Sequence, residues 1–161
     1  MILFALLGTI MYVSKVLMAW APNLHLLGLL IMTYTLVYRT RALIPIYIYV
    51  LLEGFFSGFA PWWIPYLYVW TVLWGVTMLL PKKMPDKVAF PVYMAVCALH
   101  GLSFGTLYAP AQALLFRLPW RLLPAWIASG FYFDLLHAGG NLVAATLILP
   151  LTKALTKLEN K

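Results

Sequence analysis

Asp134, His137 and Asn141 stand three and then four residues apart in "FDLLHAGGN", within an otherwise apolar run. On a helix that spacing sends all three from one face, so a carboxylate, an imidazole and an amide form a single polar stripe. Such a stripe can orient a bound solute through charge and hydrogen bonds. It can equally join helices through an ion pair or amide bonds, with Gly139 and Gly140 letting backbones approach. Glu53, Lys15, His100 and Gln112 are further polar groups set among apolar neighbours. Glu53 has two candidate partners: Lys15, which would make the pair purely structural, or a ligand. His100 taken alone reads as a hydrogen-bonded core histidine, and its candidacy rests on its depth beside Asp134.

Aromatic residues accompany these groups. "PWWIPYLYVWTVLW", Pro61 to Trp74, holds four tryptophans and two tyrosines in fourteen residues. Trp62 and Trp63, at a helix mouth, fit an interfacial aromatic belt. Tyr66, Trp70 and Trp74 repeat every four residues and so continue inward along one face, where they pack on neighbours or offer a flat wall to an aromatic ligand. Polar groups converging beside such a wall describe a small-molecule pocket open to the outside. The single Cys97 excludes an internal disulfide or a cysteine metal site and reads as a small buried apolar residue.

The elements that must carry these residues follow from composition. Of 161 residues, 65% are hydrophobic and 9% charged, against roughly 45–50% and 25% in soluble domains. Stretches free of Asp, Glu, Lys and Arg run from Val16 to Tyr38, Gly54 to Pro81 and Val88 to Phe116, each long enough for the roughly 20 residues of a spanning helix. The expected fold is therefore an all-α integral membrane protein, one domain over residues 1–161. Its six helices are expected at Ile2 to Trp20, Leu24 to Tyr38, Leu43 to Ala60, Trp62 to Leu80, Phe90 to Tyr108 and Leu123 to Leu149. The breaks fall at "APN", "YRTRA", "APW", "PKKMPDK" and "FRLPWRLLP".

Basic residues near helix ends resist translocation. With a cytoplasmic N-terminus, alternate loops place Arg39, Arg41, Lys82, Lys83, Lys87, Lys153, Lys157 and Lys161 inside, against Arg117 and Arg121 outside. Both termini are thus expected in the cytoplasm, the net charge of +7 is a topology signal, and nucleic acid is not an expected partner. Met1 to Leu7 lacks the basic n-region of a cleavable signal peptide. Counted from the helix ends, Asp134 and His100 each lie ten or so residues in, level with one another near the bilayer midplane. A carboxylate facing lipid there costs about 2.5–3.5 kcal/mol, so the stripe faces the bundle interior or a wet cavity.

Six short helices with both ends inside, "PNLHLLGLL", "LLEGFFSGF" followed by "WWIPYLYVWTVLWG", "LHGLSFGTLYAPAQALL" and "FYFDLLHAGGNLVAATLILPL" together resemble the substrate-binding S component of energy-coupling-factor transporters, across nearly the whole chain. The resemblance implies capture of a water-soluble vitamin or related micronutrient from outside a bacterial plasma membrane. It also implies docking through the first helices on a membrane coupling subunit driven by two ATPases. The chain itself would be no enzyme, and it has no G-x-x-x-x-G-K-[ST] loop. Many S components dock through an Ala-x-x-x-Ala pattern; here Ala5, Gly8 and Thr9 form a looser small-residue face.

A rival from another class rests on "GLSFG", Gly101 to Gly105, which matches G-x-S-x-G, with His137 as base; the pair loosely resembles a rhomboid-type intramembrane protease. The elbow form of this motif needs a strand-to-helix turn, and the rhomboid form G-x-S-G is interrupted by Phe104. Ser103 reads more simply as a packing residue. A non-catalytic structural membrane subunit is the third reading. In the binding-protein reading Tyr66, Trp70 and Trp63 stack on the ligand, Glu53 and Asp134 orient it, and His100, Tyr108, His137 and Asn141 complete a polar ring. No cofactor or metal is implied. Two carboxylates beside aromatic rings suit a nitrogen heterocycle such as thiamine or its pyrimidine precursor, whereas Lys15, Arg117 and Arg121 suit an anionic vitamin.

Overall fold

A computed structural model describes residues 2–21 and 23–159, and among them the secondary structure is helical, with no strand. The helices are α1 (Ile2–Leu17), α2 (Leu27–Tyr38), α3 (Leu43–Ser57), α4 (Tyr66–Leu79), α5 (Asp86–Leu102), α6 (Phe104–Leu115), α7 (Leu123–Ala145) and α8 (Ile148–Glu159). The first four expected helices are all present and all shorter than expected. The fifth is longer: it runs from Asp86 to Leu115 with a break only at Ser103, so Gln112, expected beyond it, is buried inside α6. The sixth ends at Ala145, where the axis bends by 49° and α8 continues. Pro150 accounts for that bend, because it has no N–H to give the preceding turn and its ring crowds the carbonyl four residues back.

By length and composition two helical stretches, Leu27–Ser57 and Asp86–Leu115, are long and apolar enough to cross a membrane, or three if the bent pair is one span. The first of these is a hairpin. The Trp70 ring lies 5.7 Å from that of His25, just before α2, and 6.1 Å from that of Tyr49 in α3. Straight helix from Leu27 to Tyr49 would separate its ends by roughly 33 Å. The reversal is at Arg39, whose φ of 55° is unusual for a residue with a Cβ. Two bonds anchor it to the end of α4: Arg39 Nη2 donates to Met78 O at 2.8 Å, and Trp74 Nε1 donates to Arg39 O at 3.1 Å.

Glycines set two close helix contacts. A Cβ on Gly8 would lie 2.6 Å from Ile48 Cγ2 and 2.9 Å from Pro45 O, so α1 and α3 meet through bare backbone. Gly101 stands equally close to the backbone of His137 and Ala138, bringing α5 against α7. That second hairpin is antiparallel over its length: Asn141 Nδ2 donates to Cys97 O at 3.0 Å, Gly105 N to Asp134 Oδ1 at 2.9 Å, and Lys153 pairs with Asp86. Trp70, Tyr49, Met11 and Leu73 are among the largest fully buried side chains where the hairpins meet.

The basic turns gather at one end. Arg39 and Arg41 follow α2, Lys82, Lys83 and Lys87 lie around the start of α5, and Lys153 and Lys157 are on α8. Phe4 against Tyr38, Tyr38 Oη donating to Glu159 at 3.2 Å, and the Lys153–Asp86 pair tie these segments together. Arg117 and Arg121 lie between α6 and α7, at the far end of the second hairpin. Lys161, counted with the basic set above, lies outside the described residues.

Candidate functional site

The end of the bundle away from the basic turns contains two neighbouring cavities. The first, of about 230 Å³, is lined by Lys15, Asn23, Leu24, His25, Tyr66, Phe104 and His137, with Met18, Ala19 and Ala21. The second, of about 390 Å³, is lined by Asp134, Tyr108, Trp126, Phe133 and Ser129 among others, and it shares Phe104 and Asn23 with the first. Phe104 is the partition. Its ring lies 4.9 Å from that of His137 on one side and stacks on Tyr108 at 5.8 Å on the other.

Helix geometry explains why the polar stripe arrives here. Asp134, His137 and Asn141 are buried while Phe133, Leu135, Leu136, Leu142 and Val143 are exposed, as a 3.6-residue period on one inward face requires. The three nevertheless take separate posts. His137 lines the first cavity, with its ring 4.6 Å from that of His25. Asp134 lines the second. Asn141 lies deeper, donating to the Cys97 carbonyl, 1% exposed and outside both cavities. Its amide joins α5 to α7, as the structural reading of the stripe expects.

Asp134 and His100 are not level. The carboxylate accepts from the Gly105 amide, whereas His100, about one turn further along, uses Nε2 on the Val69 carbonyl at 3.1 Å. Facing a carbonyl, that nitrogen carries the proton, so Nδ1 is an acceptor. Glu53 is taken by Lys15, with Ser57 Oγ also donating to Glu53 Oε1 at 3.2 Å. The ammonium of Lys15 in addition lies 5.6 Å from the centre of the Tyr66 ring. Of the expected stacking residues, Tyr66 alone lines one of these two cavities. Trp70 is 1% exposed and packs behind it among Tyr49, Tyr66, His25 and His100, and Trp63 turns its indole N–H to the Val50 carbonyl at 2.7 Å. Tyr108 lines the second cavity and donates to the Trp62 carbonyl.

Sequence reasoning passed over His25, Phe104 and Trp126. The only trace of His25 in the sequence is its place just ahead of the apolar run that becomes α2, which does not reveal its partners. Its ring lies against that of His137, and His25 Nδ1 and His137 Nε2 are both buried without a hydrogen-bond partner among the described residues. Ser103, the rival's nucleophile, donates to the His100 carbonyl at 3.1 Å and lines a separate apolar cavity with Val72, Leu73 and His100, while its expected base His137 opens into the first. Among the described residues no three His, Cys, Asp or Glu side chains are grouped to hold a metal ion.

The fold and site thus define an all-helical bundle with an aromatic and imidazole-lined cleft at one end. Compared with protein-family models, with curated proteins and with solved structures, the chain has no match.

The small-residue face expected to dock a partner is divided. Gly8 is buried against Pro45 and Ile48, so it belongs to the α1–α3 contact and is not on the outward face. Ala5 and Thr9 are exposed, the Thr9 hydroxyl turning back to Ala5 O at 2.9 Å. Gly8→Leu is accordingly expected to lower the melting temperature of the isolated chain, whereas Ala5→Leu leaves it unchanged; thermal melts of the two variants check this.

Proposed function

We propose that the chain is a multi-pass protein of a bacterial plasma membrane that binds a small water-soluble solute, of vitamin or micronutrient type, as the S component of an energy-coupling-factor transporter. Both termini face the cytoplasm in this reading, and the two cavities open outward. The observation that carries it is the first cavity, where Lys15, His25, Tyr66 and His137 converge at the end of the bundle opposite the basic turns, with one ring nitrogen on each of the two histidines buried and without a hydrogen-bond partner among the described residues. Apolar side chains exposed around the bundle agree with lipid contact: Leu6, Ile10, Leu51, Phe55, Val76, Phe131 and Leu142 are all open. Seven described basic residues at one end, against Arg117 and Arg121 at the other with the ion-paired Lys15 set aside, follow the positive-inside rule.

In this reading the exposed Ala5–Thr9 face of α1 docks a membrane coupling subunit that two ATPases drive, and the chain itself performs no catalysis. Co-expression with such a module is expected to yield a stable complex, and Ala5→Leu to weaken it by preventing close helix approach. Failure to co-purify with any coupling module would sink the assignment. Native mass spectrometry of the purified chain is expected to find a retained small molecule, lost on Tyr66→Ala; a chain that carries no ligand and protects none from exchange belongs instead with structural subunits.

A further inference from the structure

Of the chain's four acidic side chains, three have side-chain partners: Glu53 pairs with Lys15, Asp86 with Lys153, and Glu159 accepts from the Tyr38 hydroxyl. Asp134 has none among the described residues. Only the Gly105 amide reaches it, on Oδ1, and the residue is 6% exposed. Its Oδ2 lies where a side chain on position 105 would be, 2.5 Å from an ideal Cβ. Glycine at that position therefore leaves the carboxylate room beside α6.

The rest of the second cavity is aromatic. Phe104, Tyr108, Trp126 and Phe133 line it together with Asp134. Aromatic faces carry negative charge density and attract cations, most strongly where water is excluded. An unpaired carboxylate among them repels anions, and a neutral solute forgoes its charge. A metal ion would need several oxygen ligands, which one carboxylate among rings does not supply.

We propose that the second cavity is a binding site for a substituted ammonium group, held by Asp134 and walled by Trp126, Tyr108 and Phe104. The assignment rests on the solute-binding reading above and sharpens it. Of the two carboxylates that first suggested a cationic ligand, Glu53 is neutralised by Lys15 and Asp134 alone is available. The ammonium belongs either to a free solute or to a lipid headgroup, and the test separates them.

The full chain is reconstituted in nanodiscs of phosphatidylglycerol, and tryptophan fluorescence and calorimetry follow titration with choline, tetramethylammonium and the uncharged choline analogue 3,3-dimethylbutan-1-ol. Saturable binding of at least one cation is expected, with the uncharged analogue at least about tenfold weaker. Asp134→Asn keeps the size of the side chain and is expected to weaken cation binding roughly ten- to hundredfold at an unchanged melting temperature. Trp126→Leu, on a half-open surface, is a second variant expected to weaken it without unfolding. Competition when phosphatidylcholine is added to the nanodiscs assigns the site to a lipid headgroup; its absence assigns it to a soluble cation. Equal binding of the neutral analogue, no effect of Asp134→Asn, or no binding of either cation overturns the proposal. Co-purification with a coupling module is scored separately, so a failed cation site leaves the uptake reading standing, and the reverse.

Discussion

Lys15→Met is expected to lower the melting temperature of the chain by roughly 5–10 °C, one of the two largest effects foreseen for a single substitution. Lys15 crosses from α1 to Glu53 on α3, and Glu53 is 3% exposed. Removing one member of a buried ion pair costs about 3–5 kcal/mol, because the other charge is left without compensation. The Lys15 side chain is 27% exposed, so water screens part of that and about 2–3 kcal/mol is the better figure. For a chain of this size each kcal/mol moves the midpoint by about 2–4 °C. The double variant Lys15→Met, Glu53→Gln removes both charges and is expected to regain more than half of the loss. That recovery is the signature of coupling between the two sites. Melting curves of the parent, both single variants and the double variant, in one detergent at one pH, read it directly. A parent-like midpoint for Lys15→Met would mean that the pair carries no stability, and would return Glu53 to the set of ligand-binding groups.

Turn chemistry made the helix order legible in the sequence. "YRTRA" coincides with the turn at Arg39–Ala42, and "PKKMPDK" and "FRLPWRLLP" with the breaks after α4 and α6. Periodicity likewise placed Asp134, His137 and Asn141 on an inward face. What periodicity does not contain is the register between helices. Counting residues from helix ends put His100 opposite Asp134, but register is set where glycines let backbones touch, and Gly101 and Gly105 bring Asp134 to the Gly105 amide instead. Gly8 misled for a related reason: a small residue marks a close approach without saying whether the neighbour is another protein or, as here, α3. His25 was hidden because its partners, Trp70 and His137, come from helices far along the chain. The start of α8 was obscured by Ile148, Leu149 and Leu151, which prolong the apolar run of α7, although Pro150 marked the bend.

The glycines also supply the other large effect, since Gly101 and Gly105 sit one turn apart on the same face and should respond to substitution in opposite ways. A Cβ at Gly101 meets the backbone of α7, 2.9 Å from Ala138 N and from His137 C. Backbone cannot rotate aside, so the two helices must part, at a cost of about 1–3 kcal/mol for Gly101→Ala and more for Gly101→Leu. Along with the melting temperature, the imidazole of His137 would move, taking one wall of the first cavity with it. At Gly105 the same Cβ meets the Asp134 carboxylate, 2.5 Å from Oδ2. A side-chain tip can swing away, so Gly105→Ala is expected to hold its melting temperature to within a few degrees while displacing the carboxylate that has no side-chain partner among the described residues. Melting curves and choline titrations on the two alanine variants form the test: Gly101→Ala melts early, and Gly105→Ala melts like the parent but binds the cation weakly. A Gly101→Ala variant as stable as the parent would mean that α5 and α7 do not meet at this register, and the positions of His137 and Asp134 beside the two cavities would fall with it.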